Sequence, residues 1–398
     1  MKKQMLSVVV AGVLGSVGSV QAGNMSSAAL LLDYQEASSA YEEAYVNGNA
    51  FFGKNRGDDQ AQYNFNVNVD YDKTISTPDR DLKIKANANG QINRAGTAGA
   101  NSESSYTAGA SVTADNYFQP GSNGAFWYGS ASVQANDAFD DLETTAGIGV
   151  GYGRVVNVTP MAEAIRVIDE LMKHGSITAK PGNAIYQQVA NIIARKSEYV
   201  SKHGARDYSL VWISDIEQAL KKGGVVNGTL NVAGVLRSRD VLLDGKISLR
   251  RHGWKVRAGL GYVGTNFDGL TNKPALEAGA EYHRPLSSQT QFSNEATLRA
   301  IINDGDNGYN LNNNMTLTHE VDDRIDWENG WALDYARNSQ NGDDVTTNTL
   351  SSGFVYELNN SLDFTTSARI ANVSGSSDAA NPDGTDRSVL MGVRYRLR

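Results

Sequence analysis

"TTAGIGVGYGR", residues 144–154, sets glycine at every second position: Gly147, Gly149, Gly151 and Gly153. Between them stand Ile148, Val150 and Tyr152. Successive side chains of a strand point to opposite faces, so this stretch has one bare face and one apolar face. What lies against each face decides the fold.

The same alternation recurs along the chain. In "YNFNVNVDY", Tyr63, Phe65, Val67, Val69 and Tyr71 oppose Asn64, Asn66, Asn68 and Asp70. "LKIKANAN" sets Leu82, Ile84 and Ala86 against Lys83, Lys85 and Asn87. "WKVRAGLGY" sets Trp254, Val256, Ala258, Leu260 and Tyr262 against Lys255, Arg257, Gly259 and Gly261. The strands run to about ten residues or more, the length a tilted crossing of a bilayer needs. Aromatic residues gather at strand ends, as in interfacial girdles: Tyr63 and Tyr71, Trp327 and Tyr335, Phe354 and Tyr356. Short turns ("RPLSSQ", "EVDDR", "ELNNS") alternate with longer ones ("GTNFDGLTNKP", "NSQNGDDV").

The pattern predicts an all-β transmembrane barrel of about fourteen antiparallel strands, with twelve to sixteen compatible, and an inserted α-helical domain. Strands are expected near 45–55, 61–74, 81–94, 103–118, 125–137 and 142–156. They resume near 246–267, 274–286, 290–304, 309–321, 325–339, 345–358, 361–373 and 387–397. An even count returns both ends of the barrel to the periplasm.

The last strand carries a family resemblance. "GVRYRL", 392–397, with Gly392 followed by Tyr395 and Leu397 at alternate positions, resembles the terminal signal of Gram-negative outer-membrane β-barrels, the porin-like class. Barrels of that class usually end in an aromatic residue, whereas this chain ends in Arg398. The resemblance implies a bacterial outer-membrane location and recognition by the barrel-assembly machinery, with lipid around the barrel.

At the other end, a basic Met1-Lys2-Lys3, an apolar stretch from Met5 to Val17 and small residues up to Ala22 form a secretory signal peptide, 1–22, with cleavage before Gly23. Residues 23–44 read as a leader or short helix, 45–156 as the first part of the barrel and 245–398 as the second. No cysteine is present, which excludes disulfides, thiolate metal sites and cysteine nucleophiles. A pI near 5.2 argues against a nucleic-acid binder.

Residues 157–244 break the alternation. Thr159-Pro160 is a helix start, and Ile165, Ile168, Leu171 and Met172 follow at helical spacing to a "KHG" stop at 173–175. The pattern returns through Ile185, Val189, Ile192 and Ile193 to a second "KHG" at 202–204, then through Ile213, Ile216 and Leu220 to "KKGG". "NVAGVLRSRDVLL" fits helix or strand. Counting hairpins back from a periplasmic C-terminus puts this unit at the periplasmic mouth, as a plug folded into the barrel or as a domain below it.

The two strands flanking the unit have bare lumen faces: Gly147, Gly149, Gly151 and Gly153 on one, Gly259 and Gly261 on the other. One reading is that a helix packs on this bare backbone and fills the lumen; the other is that the glycines ease curvature. The rest of the lumen face is charged. It includes Lys255, Arg257, Glu277, Glu281, Glu295, Arg299, Asp334, Arg369, Arg394 and Arg396. This fits a salt-bridged, hydrated interior or opposed charge patches that orient a solute.

No nucleophile motif of the GxSxG kind occurs, and His174 and His203 sit in the "KHG" turns, where a cation offsets the helix dipole. His283 faces the lumen beside Glu281. The expectation is a channel or an export or uptake pore gated or plugged by the helices. It requires no catalytic residues, cofactor or metal. The alternative is a structural barrel whose helical domain docks a periplasmic or secretion partner.

Overall fold

The structure, a computed structural model, describes residues 27–397 apart from 36–37, 55, 57, 246, 268, 304–306, 339–342 and 376–382. The signal peptide and its cleavage position lie outside the described residues, as does Arg398. Fourteen strands form one sheet: β1 (Ser39–Gly53), β2 (Gln62–Ser76), β3 (Arg80–Arg94), β4 (Glu103–Tyr117), β5 (Ala125–Asn136), β6 (Glu143–Asn157), β7 (Arg251–Thr265), β8 (Thr271–Pro285), β9 (Thr290–Ile301), β10 (Gly308–Asp322), β11 (Ile325–Arg337), β12 (Asp344–Asn359), β13 (Leu362–Ser374) and β14 (Gly384–Arg396). Each pairs antiparallel with its sequence neighbours, and β14 returns to β1 to close a barrel. Closure removes the unpaired edges that hydrocarbon would not tolerate. The seam is the shortest pairing, from Tyr45↔Arg396 to Gly48↔Val393, whereas β1 and β2 pair from end to end.

The alternation carries over into the two faces. Outward positions are apolar and exposed: Ile148 at 62%, Val150 at 61%, Leu260 at 66% and Val389 at 69%. So continuous a belt is untenable in water and is the lipid-facing surface of a membrane barrel. Outward aromatics ring the belt near the chain-terminal end, where Tyr152 meets Trp254 and Trp327 stacks on Phe354.

Two strand starts differ from expectation. β1 begins at Ser39 rather than near 45, because β2 supplies a partner as far as Ser39↔Ser76. The outward side there is Ala40, Glu42 and Ala44, so apolar alternation gave no sign of it. β7 begins at Arg251 rather than near 246. The residues before it belong to the helical unit: Ile247 packs on that unit's core and Arg250 is fully buried.

The insert is a helical unit with its own core. α1 (Ser27–Leu32) precedes the barrel; α2 (Thr159–Lys173), α3 (Asn183–Ala194), α4 (Lys196–Lys222) and α5 (Val232–Arg239) lie between β6 and β7. Pro160 occupies the first turn of α2, where its missing N–H costs nothing. Met161, Ile165, Ile168 and Leu171 form its buried stripe and meet Val189 and Ile193 of α3 and Trp212, Ile216 and Leu220 of α4. The Trp212 indole N–H donates to the Ile192 carbonyl at 2.9 Å. Leu30, Leu31 and Tyr34 join this core, so the N-terminal segment belongs to the helical unit, a link the sequence did not announce. The second "KHG" ends a helix, as expected: Gly204 has φ 77° and ψ 158°, so α4 is two helices that meet at a kink there. The ambiguous segment is helical, and the Asn231 side chain caps it by accepting from Gly234 N at 2.7 Å. Among the described residues no helix is long and apolar enough to cross a membrane.

Both ends of the barrel chain, Ser39 and Arg396, lie at the end from which the helical unit hangs, together with the short turns after β8, β10 and β12.

Candidate functional site in the lumen

The lumen has two unlike halves. Along β3 to β9 it is crossed by ion pairs. Lys83 of β3 reaches Glu281 of β8 at 2.5 Å, although β4 to β7 separate them around the barrel. Lys85 reaches Glu295 of β9 at 3.3 Å. Lys255 of β7 meets Asp115 of β4 at 2.5 Å and Asp81 of β3 at 3.8 Å. Arg257 bonds Glu281 at 2.6 Å, and Arg251 bonds Glu295 at 3.0 Å. Lys255 is 1% exposed and Asp115 2%. Such charges persist in the interior only because each is paired. Nearer the far end, Arg299 holds Glu277 at 2.9 Å and donates to Thr145 at 3.0 Å. The helices therefore do not fill this part of the lumen; side chains bridge it.

The glycine stripe belongs to this half, and its partner is not a helix. A Cβ at Gly151 would strike the Phe126 ring, and one at Gly149 would lie 2.7 Å from Tyr128 Cε1 and 2.6 Å from the Gly259 Cα. A Cβ at Gly261 would meet Glu277 at 2.9 Å, and one at Gly147 would meet the same carboxylate. The stripe is thus roofed by Phe126 and Tyr128 of β5, both buried, and by Glu277. Gly153 has φ 104° and Gly253 φ 117°, conformations that favour glycine, at the mouth where the helical unit leaves and re-enters the barrel. The expectation of a helix against Gly147, Gly149, Gly151, Gly153, Gly259 and Gly261 is corrected accordingly. The reciprocal approach of Gly149 and Gly259 fits the curvature reading, with aromatic cover added.

The other half, from β10 round to β2, mixes carboxamides and hydroxyls with charged residues such as Arg394 and Glu328 and apolar ones such as Val355 and Leu390. A cavity of about 420 Å³ is lined by Asn47, Asn49 and Asn66 on one wall and by Asn314, Thr316 and Ser351 on the other, with Thr365 and Ser367 between. Its one ion pair is Arg394–Glu328 at 3.2 Å, and Arg394 also donates to Asn47 at 3.1 Å. Arg396 donates to the Tyr45 hydroxyl at 3.2 Å near the seam. A cavity of about 510 Å³ on the charged side is lined by Tyr128, Ser130, Thr145, Arg257, Glu277 and Arg299 among others.

Alternation therefore brings Lys255, Arg257, Glu277, Glu281, Glu295 and Arg299 together and places Arg394 opposite Glu328. Asp334 lies outside the network, paired in register with Asn312 and Thr347, and among the described residues Arg369 reaches only the Thr349 hydroxyl, at 3.4 Å. Sequence reasoning missed Asp81, Asp115 and Arg251. Asp115 was accessible to it, because Ser111, Thr113 and Asp115 share the lumen face of "SVTADNY".

Glu281, His283 and Glu295 offer ligand atoms within 4.8 Å of one another, and His283 is 1% exposed with neither ring nitrogen hydrogen-bonded. The trio nevertheless suits a metal ion poorly. Its carboxylates already hold Lys83, Lys85, Arg251 and Arg257, which a dication would have to displace.

The helical unit meets the barrel at the rim. Arg250 donates to the carbonyls of Ser288 at 3.1 Å and Gln289 at 2.9 Å in the β8–β9 turn and pairs with Glu320 of β10 at 3.0 Å. Arg166 of α2 pairs with the same Glu320, and Ser248 donates to it at 3.1 Å.

An even-stranded closed antiparallel barrel, an apolar belt with aromatic residues at its margin and a polar interior have one setting. The chain is an outer-membrane β-barrel. Residues 247–358 match a family described as "Protein of unknown function, DUF481". No curated protein matches the chain. Among solved structures it is similar to the anion-selective porin from Comamonas acidovorans, at 10% identity and TM-score 0.35 over 90% of this chain and 100% of that one. It is also similar to OprB of Pseudomonas putida, at 7% identity and TM-score 0.33 over 90% and 93%. A third is OmpT of Vibrio cholerae, at 9% identity and TM-score 0.31 over 91% and 98%.

Proposed function

We propose that this barrel is a channel for small hydrophilic solutes, with the helical unit as a cap at its periplasmic mouth. The reading rests on one observation: two cavities, about 510 and 420 Å³, each with polar side chains on its wall, inside a closed barrel whose outer face is apolar. Solute would pass along the carboxamide side, because the ion pairs bridge the other. Replacing residues 158–249 by a Gly/Ser linker tests the cap. The barrel should still assemble, and single-channel conductance in planar bilayers should rise. Absence of any conductance, in the full chain and in the deletion alike, overturns the channel.

The second reading is a non-transporting barrel whose helical unit docks a periplasmic or secretion partner. It is favoured by the unit's separate core and by contacts confined to the rim. Unchanged conductance in the deletion would assign the unit to docking. Tyr395 and Leu397 both face outward on β14 or just past its end, at 49% and 55% exposure, open to recognition by the barrel-assembly machinery.

A further inference from the structure

We propose that the carboxamide-walled cavity is a subsite for a neutral, polyhydroxylated solute, a saccharide; this rests on the channel reading above. The walls carry the argument. Among the described residues, the side chains of Asn49, Asn66 and Asn314 make no hydrogen bond within the protein, yet all three line one cavity of about 420 Å³ from opposite sides. Each carboxamide presents two donors and an acceptor without charge. Ser351 and Thr316 add hydroxyls that donate or accept. Hydroxyl groups of either polarity find partners on such a wall.

A charged solute does not. The cavity's cation and anion, Arg394 and Glu328, neutralise each other through two contacts, at 3.2 and 3.3 Å. An entering ion would shed water without gaining a counter-charge, which disfavours it. The carboxamides also bind weakly one by one, since a neutral hydrogen bond exchanged with water has a small net worth. That suits a passage site, which must release what it holds.

The test uses the full-length protein in planar bilayers. Salt current comes first: with none, the channel reading and this inference fall together. With current present, maltotriose should block it in a concentration-dependent way. The double variant Asn66→Leu/Asn314→Leu should raise the half-blocking concentration about tenfold, the loss expected for two hydrogen bonds. Its folded, heat-modifiable band should persist. The milder Asn66→Ala/Asn314→Ala pair serves if the leucines impair folding. Equal block by a polyethylene glycol of the same size, or the same half-blocking concentration in the variants, overturns the subsite while leaving the channel standing. Stronger block by gluconate than by maltotriose also overturns it.

Discussion

The two halves of the lumen are built from the same alternation but differ in how far their polar side chains are committed to one another. Along β3 to β9 nearly every long side chain is committed to another: Lys83 to Glu281, Lys255 to Asp115, Arg299 to Glu277. From β10 round to β2, Asn49, Asn66 and Asn314 make no side-chain hydrogen bond among the described residues. Charges removed from water must be paired, and pairing ties strands across the lumen. Neutral amides stay hydrated at little cost and leave space. The difference suggests that the charged half braces the barrel and the amide half serves the solute.

The sharpest way to break this comparison is one substitution in each half. Lys255→Met strips Asp115, 2% exposed, of its nearest cation and should destabilise the barrel by about 3–5 kcal/mol, the usual cost of breaking a buried pair. Asn314→Thr should change stability by no more than about 0.5 kcal/mol. The midpoint of the heat-modifiable gel shift reads both. Equal shifts would erase the distinction between bracing and lining.

How much of this the sequence disclosed follows from the range of each interaction. Period-two alternation is local, so it places Lys255, Arg257, Glu277, Glu281, Glu295 and Arg299 on the lumen face and points to about fourteen strands, with twelve to sixteen compatible, most within a few residues of their observed ends. It also put the helical unit at the end shared by the barrel's termini. Which charge meets which is not local. Lys83 finds Glu281 only because β3 and β8 approach across the closed lumen, and no spacing within either strand records that. The cover of the glycine stripe is hidden for a related reason. That cover comes from Phe126 and Tyr128, but in "AFWYGS" Trp127 sits between them and three consecutive aromatics hide the alternation. From the sequence the bare face is therefore open to a helix or to curvature alike.

The aromatic cover gives the second test, of intermediate size. In Gly149→Ala the new methyl would lie 2.6 Å from the Gly259 Cα and 2.7 Å from the Tyr128 ring, so β5 and β7 must both yield. Overpacking of this kind costs about 1–3 kcal/mol. The gel-shift midpoint should fall, while protease cleavage in the α2–α3 linker, 174–182, stays as in the parent. Raised cleavage of that linker with an unmoved barrel midpoint would restore a helix to the stripe.

The smallest expected effect extends the comparison from the lumen to the helical unit. Glu281 has Lys83 and Arg257 at 2.5 and 2.6 Å, whereas Glu163 on α2 makes no ion pair within 4.0 Å among the described residues. Burial pushes the Glu163 carboxyl from its ordinary 4.5 up to about 7, against the opposing pull of Lys196 and Arg166. Between those two values the folded unit binds more protons than the unfolded one, so its stability falls as pH rises through the interval. Glu163→Gln keeps the shape and removes the titration. It should leave stability near pH ~5 unchanged and raise it near pH ~8 by about 1 kcal/mol, a modest figure because Glu163 is only partly buried. Urea unfolding of the helical unit in the full chain can be followed through Trp212 once the four other tryptophans are replaced by phenylalanine. If parent and variant run parallel from about pH 5 to about pH 8, Glu163 is charged in the fold, and the helical unit has met its buried carboxylate with cations as the lumen does.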